Sequence, residues 1–333
     1  MLDLIGNTPM VELHSIVEPF QGTVYAKLDG YNPGNSTKDR IALYIIEQAE
    51  REGRLRPGGT IVETTSGNTG YSLAMVGILK GYKCILAVTD KTSKDKIDYL
   101  KTLGAEVYVC PANVPPDHPD SYYSRGRQLA EANPNALYVN QYFNTLNIEA
   151  HFNSTGPEIW EQTSGLITHF VACSGTGGTI SGTARFLKEQ NPNIEVIGVD
   201  AYGSVLKTYH ETGHIDKNDI FPYRIEGVGK NMIPDATDFS VIDRFVKVDD
   251  EESALMTREI ARKEAIMAGY SSGAALAGLL KIKGELPKNS VVVVMFPDHG
   301  SRYMKKVFSD AWMTQQGFQT ERNGEHVNLT GSH

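Results

Sequence analysis

The chain has 333 residues, which is too long for a single ordinary hydrophobic core and suggests two domains. Hydrophobic residues make up 40% and charged residues 22%, a balance typical of globular proteins and not of disordered or fibrous ones. The formal charge is −8 and no basic stripe runs along the chain, which argues against binding to nucleic acid or to an anionic membrane surface.

Strand-like and helix-like segments alternate along the chain, and this alternation is typical of an α/β protein. Several strand-like segments are apolar on both faces, as expected for parallel strands that lie between two layers of helices. The predicted strands cover residues 22–28, 60–65, 83–89, 105–110, 169–174, 195–200 and 290–296. The clearest amphipathic helices are predicted at residues 39–53, 94–104 and 250–265.

The order of these segments divides the chain into two parts. Residues 40–145 form a compact series of βα units, and we expect a small domain there. Residues 1–39 and 146–319 would form a larger domain, and the polar residues 320–333 are expected to be a disordered tail. No basic-then-apolar leader and no run of ~18 apolar residues is visible, so we expect a cytoplasmic protein.

The three cysteines, Cys84, Cys110 and Cys173, each lie in or beside an apolar, strand-like segment. Their spacings match no metal-binding or redox motif. We interpret them as reduced and mostly buried, which is typical of a protein from a reducing compartment.

The first segment that suggests chemistry is YNPGNSTKDRIA, residues 31–42, in which Lys38 lies at the start of a predicted helix. The positive end of a helix dipole lowers the pKa of a nearby lysine and favours a neutral, nucleophilic amine. Most lysines are solvated surface charges, however, so the position of Lys38 alone leaves that alternative open.

The second segment is ETTSGNTG, residues 63–70, which lies between a predicted strand and a predicted helix. It brings together the hydroxyls of Thr65, Ser66 and Thr69 with the amide of Asn68. Such a loop can hold a carboxylate through N–H and O–H donors, although an ordinary helix cap with serine and threonine turns is the alternative.

The third segment is SGTGGTISG, residues 174–182, which follows an apolar strand and opens a helix. Its glycines let backbone N–H groups point at one centre beside a helix N-terminus, which is typical of a phosphate site. A dinucleotide site is less favoured, although Asp200 follows at a suitable distance, because Ile180 stands where the third glycine is required. A turn without any ligand is the other alternative. The motif indicates a phosphate but not which phosphate.

Residues 210–214, HETGH, satisfy the H-E-x-x-H pattern of zinc proteases. In a zinc site both histidines lie on one uninterrupted helix, which Gly213 would weaken. We expect a chance match and no metal, and we keep a zinc hydrolase built on His210 and His214 as an alternative of another class.

Taken in order, the motifs STKDR with Lys38, TSGNTG at 65–70 and GTGGT at 175–179 resemble those of the fold-type II pyridoxal-phosphate enzymes of the cysteine synthase group. The resemblance extends from about Ile5 to Phe318. Within the group, four stretches are similar to the cystathionine β-synthases rather than to the O-acetylserine sulfhydrylases; these are residues 118–142, 196–206, 226–234 and 309–318. The resemblance implies two three-layer α/β domains with mostly parallel sheets, a large one that binds the cofactor and a small mobile one.

The resemblance also implies roles for individual residues. Lys38 would hold pyridoxal 5'-phosphate as a Schiff base and act as the base at the substrate α-carbon, and Asn68 would bond the phenolic oxygen of the cofactor. The phosphate would lie against Gly175, Thr176, Gly177, Gly178 and Thr179. The substrate-binding residues would be Thr65, Ser66, Thr69 and Gln141 around the carboxylate, and Gly227 at the entrance.

The chain departs from the family pattern at three positions near these motifs. Asn35 stands where a second glycine is usual, and Lys230 stands where eukaryotic relatives often have tyrosine at the mouth of the site. His299 stands where a serine normally faces the pyridine nitrogen, and we predict that it contacts this nitrogen as a neutral donor. In the competing interpretation Ser301 makes that contact and His299 caps a turn.

The function that the resemblance implies is condensation of L-serine with a thiol, L-homocysteine first among them, to give L-cystathionine and water. A cysteine synthase that uses O-acetylserine and sulfide is the alternative, because the same residues serve both reactions. The partners would be small amino-acid substrates, and a homodimer is expected by resemblance. A catalytically silent relative that acts as a binding protein is disfavoured by the presence of Lys38.

Overall fold

A computed structural model describes residues 1–65, 67–115 and 118–321 of the chain. Its strands are β1 (Met10–Leu13), β2 (Thr23–Leu28), β3 (Thr60–Thr64), β4 (Lys83–Thr89), β5 (Glu106–Cys110), β6 (Ala136–Tyr138), β7 (His169–Cys173), β8 (Glu195–Ala201), β9 (Arg244–Val248) and β10 (Val291–Phe296). Its α-helices are α1 (Lys38–Arg51), α2 (Asn68–Leu79), α3 (Lys94–Thr102), α4 (Tyr122–Glu131), α5 (Leu146–Phe152), α6 (Thr155–Gln162), α7 (Gly178–Gln190), α8 (Leu206–Thr212), α9 (Asp250–Glu264), α10 (Tyr270–Ile282) and α11 (Asp310–Gln315).

The strands form two sheets. The smaller sheet has the order β5-β4-β3-β6 and is parallel throughout. The larger sheet has the order β1-β2-β10-β7-β8-β9 and is parallel except for the antiparallel pair of β1 and β2. The predicted α/β class with mostly parallel sheets is therefore confirmed.

The larger sheet is buried on both faces, as the apolar runs in its strands predict. In β10, Val292 and Val294 pack into one hydrophobic cluster with helices α9 and α10. The alternate residues Val293 and Met295 pack into a second cluster with α6 and α7. Because successive side chains of a strand point to opposite faces, these two clusters lie on opposite sides of the sheet and produce three layers.

The smaller sheet has a hydrophobic cluster of its own, to which α1 and α2 contribute Ile45 and Leu73. All four of its strands fall within residues 60–138, inside the predicted small domain of 40–145. The division into a fixed large domain and a mobile small one stays a prediction. Of the predicted tail, 320–333, all but Thr320 and Glu321 lies outside the described residues. None of the described helices combines the length and the apolar character that a membrane span requires.

Parallel strands bring the loops at their carboxyl ends to the same edge of a sheet, where ligands of α/β proteins commonly bind. The loops after β3 and β6 of the smaller sheet meet the loops after β7 and β10 of the larger sheet around one cavity of about 710 Å³. The three predicted motifs lie in this region, although they are far apart in the chain.

Candidate active site

The cavity between the two sheets collects most of the side chains that the sequence singled out. Ten of them line it, namely Lys38, Thr65, Asn68, Thr69, Gln141, Gly175, Thr176, Gly177, Thr179 and Gly227. Gly178 and His299 are not among the lining residues, and Ser66 lies outside the described residues. The individual roles proposed for these residues stay predictions.

Lys38 is the first residue of α1, and its two neighbours anchor that turn of helix. The carboxylate of Asp39 accepts hydrogen bonds from the Gly34 N–H and from the Ser72 hydroxyl, each at 2.5 Å. The guanidinium of Arg40 is buried and forms an ion pair with Asp29 at 2.8 Å. The backbone of Lys38 is therefore fixed on both sides, while its side chain extends to the cavity.

Burial lowers the pKa of the Lys38 amine, and the positive charge of Lys230 acts in the same direction. The carboxylates of Asp298 and Asp29 oppose this shift but do not reverse it. The lower pKa agrees with the sequence-based expectation, and its main physical cause is burial. A lysine with a lowered pKa supplies more of the neutral amine that nucleophilic chemistry requires.

The glycine-rich loop joins β7 to α7, and its glycines are required by close neighbours. Gly177 has a φ of +91°, and a Cβ added there would lie 2.0 Å from Oγ1 of Thr237. A Cβ on Gly178 would lie 1.9 Å from Oδ1 of Asn147. The N-cap residue Gly177 makes no side-chain cap, and the Gly178 N–H has only a long contact of 3.4 Å to Oγ1 of Thr176, so the first N–H groups of α7 remain suited to an external anion.

Two residues that the sequence analysis missed support the threonines of this loop. Asn147 donates a hydrogen bond of 3.0 Å to Oγ1 of Thr176. His151 is fully buried, and its Nε2 lies 3.1 Å from Oγ1 of Thr179. Burial, helped by the charges of nearby cations, lowers the pKa of His151 to about 3, so the imidazole is neutral. No motif identifies these residues, because they lie on α5, well before the loop in the chain.

The loop after β3 is joined directly to the loop after β6. The Thr69 hydroxyl donates a 2.7 Å hydrogen bond to Oε1 of Gln141. The backbone N–H of Gln141 donates in turn to the buried carboxylate of Glu63 at 3.0 Å. The two predicted parts of the substrate-carboxylate site, Thr65 with Thr69 and Gln141, are thus brought together.

The side-chain amide of Asn68 is held in one orientation by two charged groups. Its Nδ2 donates to the carboxylate of Asp298 at 2.8 Å, and its Oδ1 accepts a hydrogen bond from the guanidinium of Arg302. The guanidinium can only donate, so the amide nitrogen must face away from Arg302. The second hydrogen of that nitrogen is then available to a ligand in the cavity.

His299 makes contacts that belong to a turn. Its Nδ1 accepts a 3.2 Å hydrogen bond from the Ser301 N–H and lies 2.8 Å from the Ser301 hydroxyl. These contacts match the competing interpretation of His299 as a cap. The predicted contact between His299 and the pyridine nitrogen stays a prediction.

The H-E-x-x-H residues do not share a helix. Helix α8 ends at Thr212, and Gly213 has a φ of +72°, so His214 lies beyond the helix. The Nε2 of His210 contacts the backbone oxygen of Ile242 at 2.8 Å. This geometry is not that of a zinc protease, and the described part of the chain contains no cluster of three metal-ligating side chains.

The chemistry of the cavity fits pyridoxal phosphate. An amine with a lowered pKa is available for the aldehyde, the uncapped start of α7 for the phosphate, and the Asn68 amide for a ring substituent. The Thr37 hydroxyl, beside Lys38, also lines the cavity and is buried without a hydrogen-bond partner. This hydroxyl is therefore able to bond to a ligand group in the cavity.

Comparison with known proteins gives the same result. Residues 1–298 match the family model described as "Pyridoxal-phosphate dependent enzyme". The chain is 41% identical over 320 residues to "Cystathionine beta-synthase" of Apis mellifera, which covers 96% of this chain and 63% of that protein. It is 38% identical to "Cysteine synthase 1" of Emericella nidulans, with 96% and 87% covered. The solved structure of "O-ureido-L-serine synthase" superposes with a TM-score of 0.84 at 33% identity, covering 94% and 98%.

The chain thus spans about three fifths of the length of the curated cystathionine β-synthases that it matches, and most of the length of the cysteine synthase. The family model covers all ten strands of both sheets and every motif that lines the cavity. This chain belongs to the family of pyridoxal-phosphate dependent enzymes.

Proposed function

We propose that the protein condenses L-serine with L-homocysteine to give L-cystathionine and water. The observation that carries this proposal is that one cavity is lined by Lys38, the uncapped glycine loop and the Thr69–Gln141 pair. It is supported by the similarity to proteins named cystathionine β-synthase. A cysteine synthase reaction with O-acetylserine and sulfide is the second candidate, because the chain covers 87% of a protein of that name.

When bound, pyridoxal phosphate supplies an electron sink for the charge that proton removal leaves at the substrate α-carbon. Thr65, Thr69 and Gln141 bind the carboxylate of serine and thereby orient the α-carbon toward Lys38. The lowered pKa of Lys38 lets its neutral amine accept the α-proton.

The β-hydroxyl of serine needs a proton in order to leave as water. Glu226, which precedes Gly227 at the entrance, is a candidate acid, but it is paired with Lys96 and Lys306. Although burial alone would raise the pKa of Glu226, these two cations hold it below its ordinary value. Glu226 therefore remains ionised near neutrality, and the ammonium of Lys38, formed when it accepts the α-proton, is the better proton donor. The thiol proton finally replaces the α-proton, so that the reaction balances.

A product assay tests this proposal. Purified enzyme is incubated with serine or O-acetylserine against homocysteine, cysteine and sulfide, and the products are identified by mass spectrometry. We expect cystathionine from serine and homocysteine. Formation of cysteine from O-acetylserine and sulfide, without any product from serine, would establish the second candidate instead.

The role of Lys38 has its own test. Borohydride reduction should fix the cofactor on the peptide that contains Lys38, and Lys38→Ala should fold but lose turnover by several orders of magnitude. Lys27, which is also buried, serves as the internal comparison, because its amine is paired with Glu158 at 2.6 Å. A reduced adduct on any other lysine would contradict the assignment.

We propose further that the protein is a cytoplasmic homodimer. Free, buried thiols at Cys84 and Cys110 support a reducing compartment, and the dimer is supported by the family resemblance. Light scattering coupled to gel filtration measures the mass in solution, and a monomer mass near 36.6 kDa would contradict the dimer.

A further inference from the structure

We infer that Lys230 and Tyr142 form a subsite for an anionic group on the second substrate, the carboxylate of the thiol acceptor. This inference rests on the proposed function and deepens it. It makes selectivity among thiols a property of the cavity mouth, separate from the loop that is proposed to bind the carboxylate of serine.

The position of the Lys230 ammonium is well defined. Its Nζ lies 3.2 Å from the hydroxyl oxygen of Tyr142 and 4.5 Å from the centre of the Tyr142 ring. The backbone is fixed as well, because the Lys230 N–H donates to the Ser204 hydroxyl at 2.9 Å and the Lys230 oxygen accepts from the Val205 N–H at 2.8 Å. The ammonium is thus held at the cavity wall and is not a freely moving surface charge.

Lys230 is also not neutralised. In the described part of the chain no carboxylate lies within ion-pair distance of its ammonium, and its contacts are those with Tyr142. Among the described lining residues the carboxylates are Glu226 and Asp298. Glu226 is occupied by Lys96 and Lys306, and Asp298 accepts hydrogen bonds from Asn68 and Tyr303. A cation held over an aromatic ring without a counterion is suited to an incoming anion.

The location of Lys230 separates it from the other two anion sites. The glycine loop offers backbone N–H groups, and the loops around Thr69 and Gln141 offer hydroxyl and amide donors. Lys230 contacts Tyr142, the residue after Gln141, and its charge still reaches Lys38, whose pKa it helps to lower. An anion at Lys230 therefore lies near the reacting centre but is bound by a separate cation.

The test compares acceptors that differ in the carboxylate. The variant Lys230→Met keeps the length of the side chain and removes the charge, whereas Lys230→Arg keeps the charge. With serine as the donor, KM for homocysteine should rise about 10- to 100-fold in Lys230→Met, the loss expected for one charged hydrogen bond. Any effect of Lys230→Met through the pKa of Lys38 is common to all acceptors, so the ratio of KM for homocysteine to KM for sulfide should rise by the same factor, and Lys230→Arg should retain most of the selectivity. Lys207→Met, which removes a half-buried cation paired with Glu211, controls for net charge.

The outcomes that overturn the inference are distinct from those that overturn the proposed function. Equal changes of KM for homocysteine and sulfide, a change confined to serine, or no change would each remove Lys230 from acceptor binding. If the wild type makes only cysteine from O-acetylserine and sulfide, the proposed function fails but the subsite is still tested. In that case 3-mercaptopropionate should inhibit better than 2-mercaptoethanol, and Lys230→Met should abolish the difference. Equal inhibition of the wild type by both thiols would then refute the subsite.

Discussion

Glu63 should make the stability of the protein depend on pH in an unusual direction. Its side chain is fully buried, and its carboxylate accepts hydrogen bonds from the N–H groups of Thr64 at 2.6 Å and Gln141 at 3.0 Å. No cation pairs with it in the described residues, and the titratable groups that face it are Cys84 and several tyrosines; these are Tyr122, Tyr123 and Tyr138. Burial raises the pKa of Glu63 to about 7, more than the hydrogen bonds lower it.

The direction of this pH dependence follows from the protons that the folded and the unfolded chain bind. A carboxyl group whose pKa is higher in the folded than in the unfolded chain keeps its proton in the folded state over a wider range of pH. The contribution of Glu63 to the free energy of unfolding is therefore most favourable below about pH 4.5, declines as the pH rises, and levels off above about pH 7. Between about pH 5 and pH 8 the difference amounts to about 2.5 kcal/mol for this one group.

The variant Glu63→Gln removes the titration, because glutamine carries no ionisable proton. Urea unfolding of cofactor-loaded wild type and variant at about pH 5 and pH 8 gives the difference in free energy of unfolding at each pH. We expect this difference to shift by about 2.5 kcal/mol in favour of the wild type at the lower pH. Glu189→Gln, at an exposed position on α7, is the matched control and should show no shift. Parallel pH dependences for wild type and Glu63→Gln would refute the reasoning.

Two further predictions concern the cofactor loop and the turn after β10. Gly177→Ala should lower cofactor occupancy, measured by visible absorbance, and destabilise the protein by at least about 1 kcal/mol, because it combines a positive φ with a clash against Thr237. Gly58→Ala, with a φ of +74° and open space around it, isolates the backbone cost, and equal losses in both variants would contradict the clash. His299→Ser should keep most activity, Ser301→Ala should change little, and His299→Asp should divert the enzyme toward half-transamination of serine, detected as 3-hydroxypyruvate together with pyridoxamine phosphate. A crippling effect of Ser301→Ala with a harmless His299→Ala would assign the contact to the serine.

The strands that sequence reasoning found and missed differ in their place in the sheets. The seven predicted strands agree with the structure to within one residue at each end. The three that were missed, β1, β6 and β9, all lie at sheet edges. These strands are short, with four residues in β1, three in β6 and five in β9, and in β9 the buried positions 245 and 248 do not alternate regularly. The periodic signal on which strand prediction depends is therefore weakest at these edges.

In the candidate site, residues that are neighbours in the chain could be predicted, whereas side chains that come from distant parts of the chain could not. Loops that bind anions can be predicted because their residues are neighbours in the chain, and three such motifs line one cavity. The side chains that orient these loops, such as His151, Asn147 and Arg302, are separated from them by 28 to 234 residues. Their roles depend on the packing of α5 and of the turn after β10, which no local pattern encodes.

The side chain of Arg302 joins residues of the site that come from both sheets. Its guanidinium donates to the side-chain oxygen of Asn68, at the start of α2, and to the backbone oxygen of Gly34, in the loop before Lys38. It also stacks 4.4 Å from the ring of Tyr71. Asn68 belongs to the smaller sheet's layer of helices, whereas Arg302 follows β10 of the larger sheet. Arg302 thus adds to the Ser72–Asp39 and Asn68–Asp298 hydrogen bonds that also join these loops. A movement of Asn68 away from β10 must therefore break its hydrogen bonds to both Arg302 and Asp298.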